Sequence, residues 1–237
     1  SKYFNSFPID SKVSLIIKER KSLILVCGNI IIKNSLINFN DSGISDTIAI
    51  YCDKVNELQL INNSINYLGQ SKGKTINHPV HISNCDNAII DNNIINAKMP
   101  SLAIDYDRVT YEAITYSVAL FVDKSDNIKI LNNKITNSYN AFSGMYDTIE
   151  GIIIKASKNP VIKFNVIDVT GHNYTYALKF VSVMDSEFNV YGCLNIDCAN
   201  NIITSKCDSY YANAIELDGP ISGRVYNNSI VVEALSF

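Results

Sequence analysis

An apolar strand running into Asn-x-(Ile/Leu/Val) returns seven times along this chain, and that recurrence limits the fold more than any other feature. The copies are Ile31-Ile32-Lys33-Asn34-Ser35-Leu36, Leu60-Ile61-Asn62-Asn63-Ser64-Ile65, Ile90-Asp91-Asn92-Asn93-Ile94-Ile95, Ile130-Leu131-Asn132-Asn133-Lys134-Ile135, Ile162-Lys163-Phe164-Asn165-Val166-Ile167, a degenerate Val190-Tyr191-Gly192-Cys193-Leu194, and Val225-Tyr226-Asn227-Asn228-Ser229-Ile230. They begin 29, 30, 40, 32, 28 and 35 residues apart, so each is one supersecondary unit with an insertion of variable length. Inside a unit the apolar residues alternate, and Ile, Val, Leu and Phe fill the inward set. That is the period of short strands and not of a helix. The expected fold class is therefore an all-β solenoid of about seven coils.

With the Asn as anchor, Ile48-Ala49-Ile50, Val118-Ala119-Leu120 and Leu178-Lys179-Phe180 form a first strand that begins 15 residues before positions 63, 133 and 193. The second strand supplies two inward columns. One runs Leu58, Ala88, Ile128, Pro160, Phe188 and Gly223, the other Leu60, Ile90, Ile130, Ile162, Val190 and Val225. The Asn column, positions 34, 63, 93, 133, 165 and 228, falls at the turn after that strand. There a side-chain amide can bond the coils above and below while tolerating a left-handed backbone, so the column reads as a structural ladder.

These copies resemble the right-handed parallel β-helix superfamily, which includes pectate lyases, polygalacturonases, NosD-like proteins and the tailspikes of bacteriophages. The resemblance covers about residues 28–232. It implies a parallel β-helix domain over 28–237, with residues 1–27 as a lead-in or first partial coil. Such a motif specifies a fold and hardly an activity. The paired-Asp strand motif and the Arg-Ile-Lys segment of polygalacturonases are missing, and Gly171-His172 is a faint echo of their Gly-His-Gly.

With 237 residues, 47% hydrophobic and 18% charged, one elongated domain with a sizeable core is expected. A net charge of −3 with no Lys/Arg run argues against nucleic acid or an anionic membrane surface as partner. The apolar runs are strand-sized, so no transmembrane helix is expected. The sequence opens Ser1-Lys2 without a signal peptide, as expected of a processed chain or a piece of a longer one. The six cysteines show no metal spacing, and neither a metal nor a cofactor is expected. Cys52 and Cys85 read as a stacked thiol column. Cys193, Cys198 and Cys207 could bridge a loop, which spacing alone does not decide.

Insertions carry the individuality of a solenoid, and here they follow the Asn step and precede the next first strand. They are rich in tyrosine. Residues 97–117 hold Asp105, Tyr106, Asp107, Arg108, Tyr111, Glu112 and Tyr116, and residues 137–149 hold Tyr139, Phe142, Tyr146 and Asp147. Residues 168–177 add His172, Tyr174 and Tyr176, and residues 197–213 add Asp208, Tyr210 and Tyr211. Tyr116, Tyr176 and Tyr211 each stand just before a first strand, which predicts a rough stack along the axis. Two readings stand side by side: the rings pack loops onto the coil, or they face sugar rings, since Tyr combines an apolar face with a hydroxyl. On the first strand the outward set is expected to include Tyr51, Phe121, Ile153 and Val181. Such an apolar strip is seldom bare in a monomer, so a homo-oligomer, with a trimer favoured, is expected.

Carboxylates are the available catalytic groups, and glycoside cleavage uses two in different environments. Glu216 interrupts a column otherwise filled by apolar residues and is the first candidate, with Asp105 or Asp107 from the long insertion as its partner. Asp218 aligns with Asp53 and Asp123 and reads as a turn residue, and Glu150 begins a first strand two coils earlier. The candidate substrate-binding residues are Tyr106, Arg108, Tyr111, Tyr116, Tyr146, His172, Tyr176 and Tyr211. Together with the resemblance, these residues predict a β-helix protein that binds, and cleaves, a bacterial surface polysaccharide from a virion surface or an extracellular or cell-surface position. The alternative is a non-catalytic adhesin or structural spike.

Overall fold

The computed structural model describes residues 2–4, 7–9, 14–18, 23–26, 29–40, 47–69, 75–99, 114–139 and 146–234. Every pass of the chain contributes one strand to each of three parallel sheets. Sheet A stacks Lys2–Phe4, Leu23–Val26, Thr47–Asp53, Thr75–Ser83, Ile114–Asp123, Tyr146–Lys155, Tyr174–Val181 and Tyr211–Asp218. Sheet B stacks Phe7–Ile9, Asn29–Lys33, Glu57–Ile61, Ile89–Asp91, Lys129–Leu131, Val161–Lys163, Cys193–Ala199 and Ile221–Tyr226. Sheet C stacks Ser14–Lys18, Leu36–Asn40, Ser64–Leu68, Ile94–Met99, Lys134–Tyr139, Val166–Gly171, Ile202–Cys207 and Ser229–Ala234. The fold is a parallel β-helix. Among the described residues each sheet has eight strands where the sequence has seven copies of the phrase; the additional strands are those within residues 2–18, which carry no copy. Among the described residues no helix is long and apolar enough to cross a membrane.

Stacking places like side chains over like. Ile37, Ile65, Ile95, Ile135, Ile167 and Ile203 pair in register along sheet C, and each is 2% exposed or less. Burying one such side chain stabilises by roughly 1.5–3 kcal/mol, and β-branching suits it to the pleat. On sheet B, Ile32, Leu60, Ile90, Ile130, Ile162 and Cys198 make the matching column.

At the turn from sheet B to sheet C the asparagine ladder is continuous. The backbone N–H groups of Ser35, Asn63, Asn93, Asn133, Asn165 and Asn201 donate to the Oδ1 atoms of Asn63, Asn93, Asn133, Asn165, Asn201 and Asn228, at 2.8–3.0 Å. The residue before each rung is left-handed, with φ of 52–60° at Asn34, Asn62, Asn92, Asn132, Phe164, Asn200 and Asn227. Asn tolerates that region better than other L-residues, which accounts for the frequent Asn-Asn pairs.

Four expectations are corrected by this register. Asn34 belongs to the exposed left-handed column, and Ser35 takes the first rung. The true sixth copy is Cys198-Ala199-Asn200-Asn201-Ile202-Ile203, because Cys198 pairs with Ile162 and Asn201 with Asn165. The Val190 segment instead forms a small antiparallel hairpin, Val183–Met184 with Val190–Tyr191, turned by Asp185 accepting the N–H groups of Glu187 and Asn189. Phe188 and Val190 are therefore exposed, and Ile196 and Cys198 occupy the columns given to them. Cys52 and Cys85 do not stack as thiols: Cys52 pairs with Ile82 inside sheet A, whereas Cys85 accepts the Val55 N–H at the corner beyond it. There Ser125 and Ser157 continue a second ladder. The cysteines among the described residues are free thiols.

Candidate functional site on the outward face of sheet A

The later strands of sheet A contain a step in which two successive residues point inward. Ser117 Oγ reaches the interior Asn137 at 3.2 Å, yet both Ala119 and Leu120 are fully buried. A side chain on Gly151, the residue beside Ala119, would run into Ile167 and Val169 of sheet C and the Ala177 carbonyl. The inward row at the step holds compact residues: Ala49, Pro79, Ala119, Gly151, Ala177 and Ala214. Its effect is to shift which residues face out on either side.

On one side of the step the outward rows are Tyr116, Thr148, Tyr174 and Tyr211, then Val118, Glu150, Tyr176 and Asn213. On the other side they are Tyr51, His81, Phe121, Ile153, Lys179 and Glu216, then Asp53, Ser83, Asp123, Lys155, Val181 and Asp218. The expected apolar strip does not stand bare: Ile153 is 3% exposed, and Tyr51, Phe121 and Val181 are half-buried within a single chain.

Glu150 is the most perturbed carboxyl on this face. It is 2% exposed, and its Oε2 has no hydrogen-bond partner among the described residues. Burial pushes its pKa up to about 7; the Tyr116 hydroxyl bonded to it and the Lys179 charge act against that rise, and Glu216 adds to it. The Tyr116 hydroxyl is itself held far above the ordinary tyrosine range, first by burial and then by Glu150. Lys179 Nζ bridges to Glu216 Oε1 at 2.9 Å and lies 4.8 Å from the Tyr176 ring centroid. Burial opposes charging Lys179, but its hydrogen bond to Glu216 and the charges of Glu150 and Glu216 outweigh it, so its pKa is raised. Asn213 Nδ2 donates to the other Glu216 oxygen at 3.2 Å.

Beside this cluster lies an aromatic platform open to solvent. Tyr174 stacks on Tyr210 and Tyr211 with ring centroids 5.6 and 5.8 Å away, and the latter two rings are 48% and 62% exposed. Toward the earlier coils the face is closed by packed rings. His78 lies 5.0 Å from Phe121 and 5.4 Å from His81, and burial, followed by the neighbouring His81, pulls its pKa down to about 3. Burial likewise lowers His81, against the pull of Asp123 and Asp53. Both imidazoles are neutral at physiological pH. Among the described residues no three His, Cys, Asp or Glu side chains form a set able to hold a metal ion.

The candidates read from sequence are distributed unevenly. Glu216, Tyr116, Tyr176 and Tyr211 come together on this face. The last three lie inside first strands, which extend further toward the N-terminus than the sequence reading placed them. Asp105, Tyr106, Asp107, Arg108 and Tyr111 lie outside the described residues. Tyr146 opens the strand Tyr146–Lys155, in register with Ile114, and its side chain is likewise outside that set. His172 belongs to the corner entering sheet A, where its N–H and that of Asn173 donate to the fully buried Asp147. Glu150, Lys179, Tyr174 and Asn213 were not singled out as site residues. The available signal was the alignment of Lys179 with Glu216, opposite charges side by side in a row that elsewhere holds Tyr51, His81, Phe121 and Ile153.

No protein-family profile and no curated protein matches the sequence. Among solved structures the chain is similar to the A-module of the mannuronan C-5 epimerase AlgE6 of Azotobacter vinelandii, at 9% identity and a TM-score of 0.35, over 97% of this chain and 78% of that one. It is also similar to PfbA, a surface adhesin of Streptococcus pneumoniae, at 9% identity and a TM-score of 0.18, over 99% of this chain and 82% of that one. Scores this low carry no argument about what this chain does.

Proposed function

We propose that the outward face of sheet A binds a polysaccharide and cleaves its glycosidic bonds, in the manner of a tailspike-like depolymerase acting on bacterial surface glycan from a virion or cell surface. The observation that carries this reading is Glu150: a buried carboxyl poised near pH 7 beside a second carboxylate, Glu216, held by Lys179 and Asn213. Two carboxyl groups with environments this different suit an acid and a base. Glu150 gives its proton to the leaving glycosidic oxygen, while Glu216 takes one from the attacking water; solvent then restores both. Because Glu150 is buried, substrate reaches it only after the side chains packed over it, with the Tyr116 hydroxyl bonded to it, move aside. Tyr174, Tyr210 and Tyr211 offer flat apolar faces for sugar rings next to the cluster.

A non-catalytic adhesin is the second reading, and the burial of Glu150 favours it, since a platform alone can hold glycan without cutting it. The two part on a panel of capsular and O-antigen polysaccharides assayed for retention and for new reducing ends. The depolymerase generates ends, and Glu150→Gln lowers their rate about 10²–10⁴-fold while retention persists. Retention by the wild type without new ends leaves the adhesin.

A further inference from the structure

We infer that the glycan taken by this face is uncharged, with no carboxylate, sulfate or phosphate on the residues lying over Lys179 and Glu216. This rests on the reading of the face as a glycan site. The outward rows carry Asp53, Asp123, Glu150, Glu216 and Asp218 against Lys155 and Lys179. Lys179, which lies 4.8 Å from the Tyr176 ring centroid, is already engaged by Glu216 at 2.9 Å. Lys155 shares its row with Asp123 and Asp218, and Lys54 and Lys124 stand in turns beyond the strands. The two histidines, kept neutral by burial, add no positive charge.

An anionic sugar therefore meets carboxylates without an unpaired cation beside the platform among the described residues. Breaking the Lys179–Glu216 pair to supply one leaves Glu216 facing the ligand. A hydroxyl-rich neutral glycan meets none of these costs. Its O–H groups donate to Glu216, and its ring faces lie on Tyr174, Tyr210 and Tyr211.

The test uses a neutral polysaccharide retained by the full chain, compared with the same polymer after oxidation of its primary alcohols to carboxylates. The oxidised form is expected to bind at least tenfold more weakly, with the loss shrinking as salt is raised. Asp218→Lys, at an exposed position outside the proposed machinery, is expected to recover part of its binding. Retained glycans that are anionic, held more tightly at low salt than at high, overturn this inference and leave the glycan site standing. Failure of every glycan, neutral or anionic, to be retained or cut overturns both.

Discussion

Replacing Asn133 by Ala tests the ladder that holds the coils in register. Its Oδ1 accepts the Asn93 N–H at 2.8 Å and Asn93 Nδ2 at 3.0 Å, and its Nδ2 donates to the Ile90 carbonyl at 2.8 Å and to Asn165 Oδ1 at 3.0 Å. The residue is 1% exposed, so water cannot replace these bonds. Alanine orphans the Asn93 N–H, a loss of about 1–3 kcal/mol, and removes three further bonds whose partners keep other contacts, each worth roughly 0.5–1 kcal/mol. The sum is a destabilisation of about 2.5–6 kcal/mol. Its neighbour Asn132 is exposed, left-handed at φ 56°, and donates to Asp91 at 2.9 Å. Asn132→Ala therefore loses a solvated bond and gains backbone strain, together about 1 kcal/mol. Urea unfolding followed by far-UV circular dichroism measures both, with an unchanged m-value as the condition for comparing midpoints. Equal losses at the two positions would refute the assignment of 133 as the rung.

Other consequences are as direct. Because the folded pKa of Glu150 is raised from 4.5 to about 7, its contribution to stability is full below pH 4.5 and is lost as pH rises through 7, a change of about 3 kcal/mol. Glu150→Gln is expected to gain by that amount relative to wild type between pH 4.5 and 8, while the opposite slope from His78 is common to both proteins and cancels; a pH-independent difference in melting contradicts it. Ile196→Ala is expected to cost about 2–5 kcal/mol and Val190→Ala under about 0.5, and the reverse order in thermal unfolding would restore the sequence reading of Val190 as an inward position. Ile130→Asp puts an unpaired charge at a fully buried position and is expected to unfold several coils together; a soluble variant with unchanged melting contradicts the inward register. Tyr211→Ala, which removes an exposed platform ring, is expected to weaken glycan retention while leaving the melting temperature in place.

The coil architecture was legible because stacking repeats its demands: an Ile over an Ile and an Asn over an Asn at every turn. What the pattern hid has physical causes. In Asn62-Asn63, Asn92-Asn93 and Asn132-Asn133 the left-handed residue and the rung are the same amino acid, so Asn34-Ser35 gave no way to tell them apart. The hairpin at 183–191 mimics the phrase with Val190-Tyr191, while the real sixth rung, Asn201, follows Cys198-Ala199, where small side chains weaken the apolar signal. Glu150 was seen only as the beginning of a strand, because alternation counted across the double inward step at Ala119-Leu120 assigns the wrong face to residues before it. Register across strands, which no single coil encodes, is what joins Glu150 to Tyr176, Lys179 and Glu216.

The most direct test of the central claim is a crystal structure of Glu150→Gln with an oligosaccharide of a glycan that the wild type cleaves. The account predicts sugar rings over Tyr174, Tyr210 and Tyr211 and a glycosidic oxygen within about 3 Å of the side-chain amide introduced at position 150, with Glu216 on the opposite side of the anomeric carbon. Sugar bound along the outward Asn38, Asn66 and Asn96 row of sheet C, with the sheet A face empty, would contradict it.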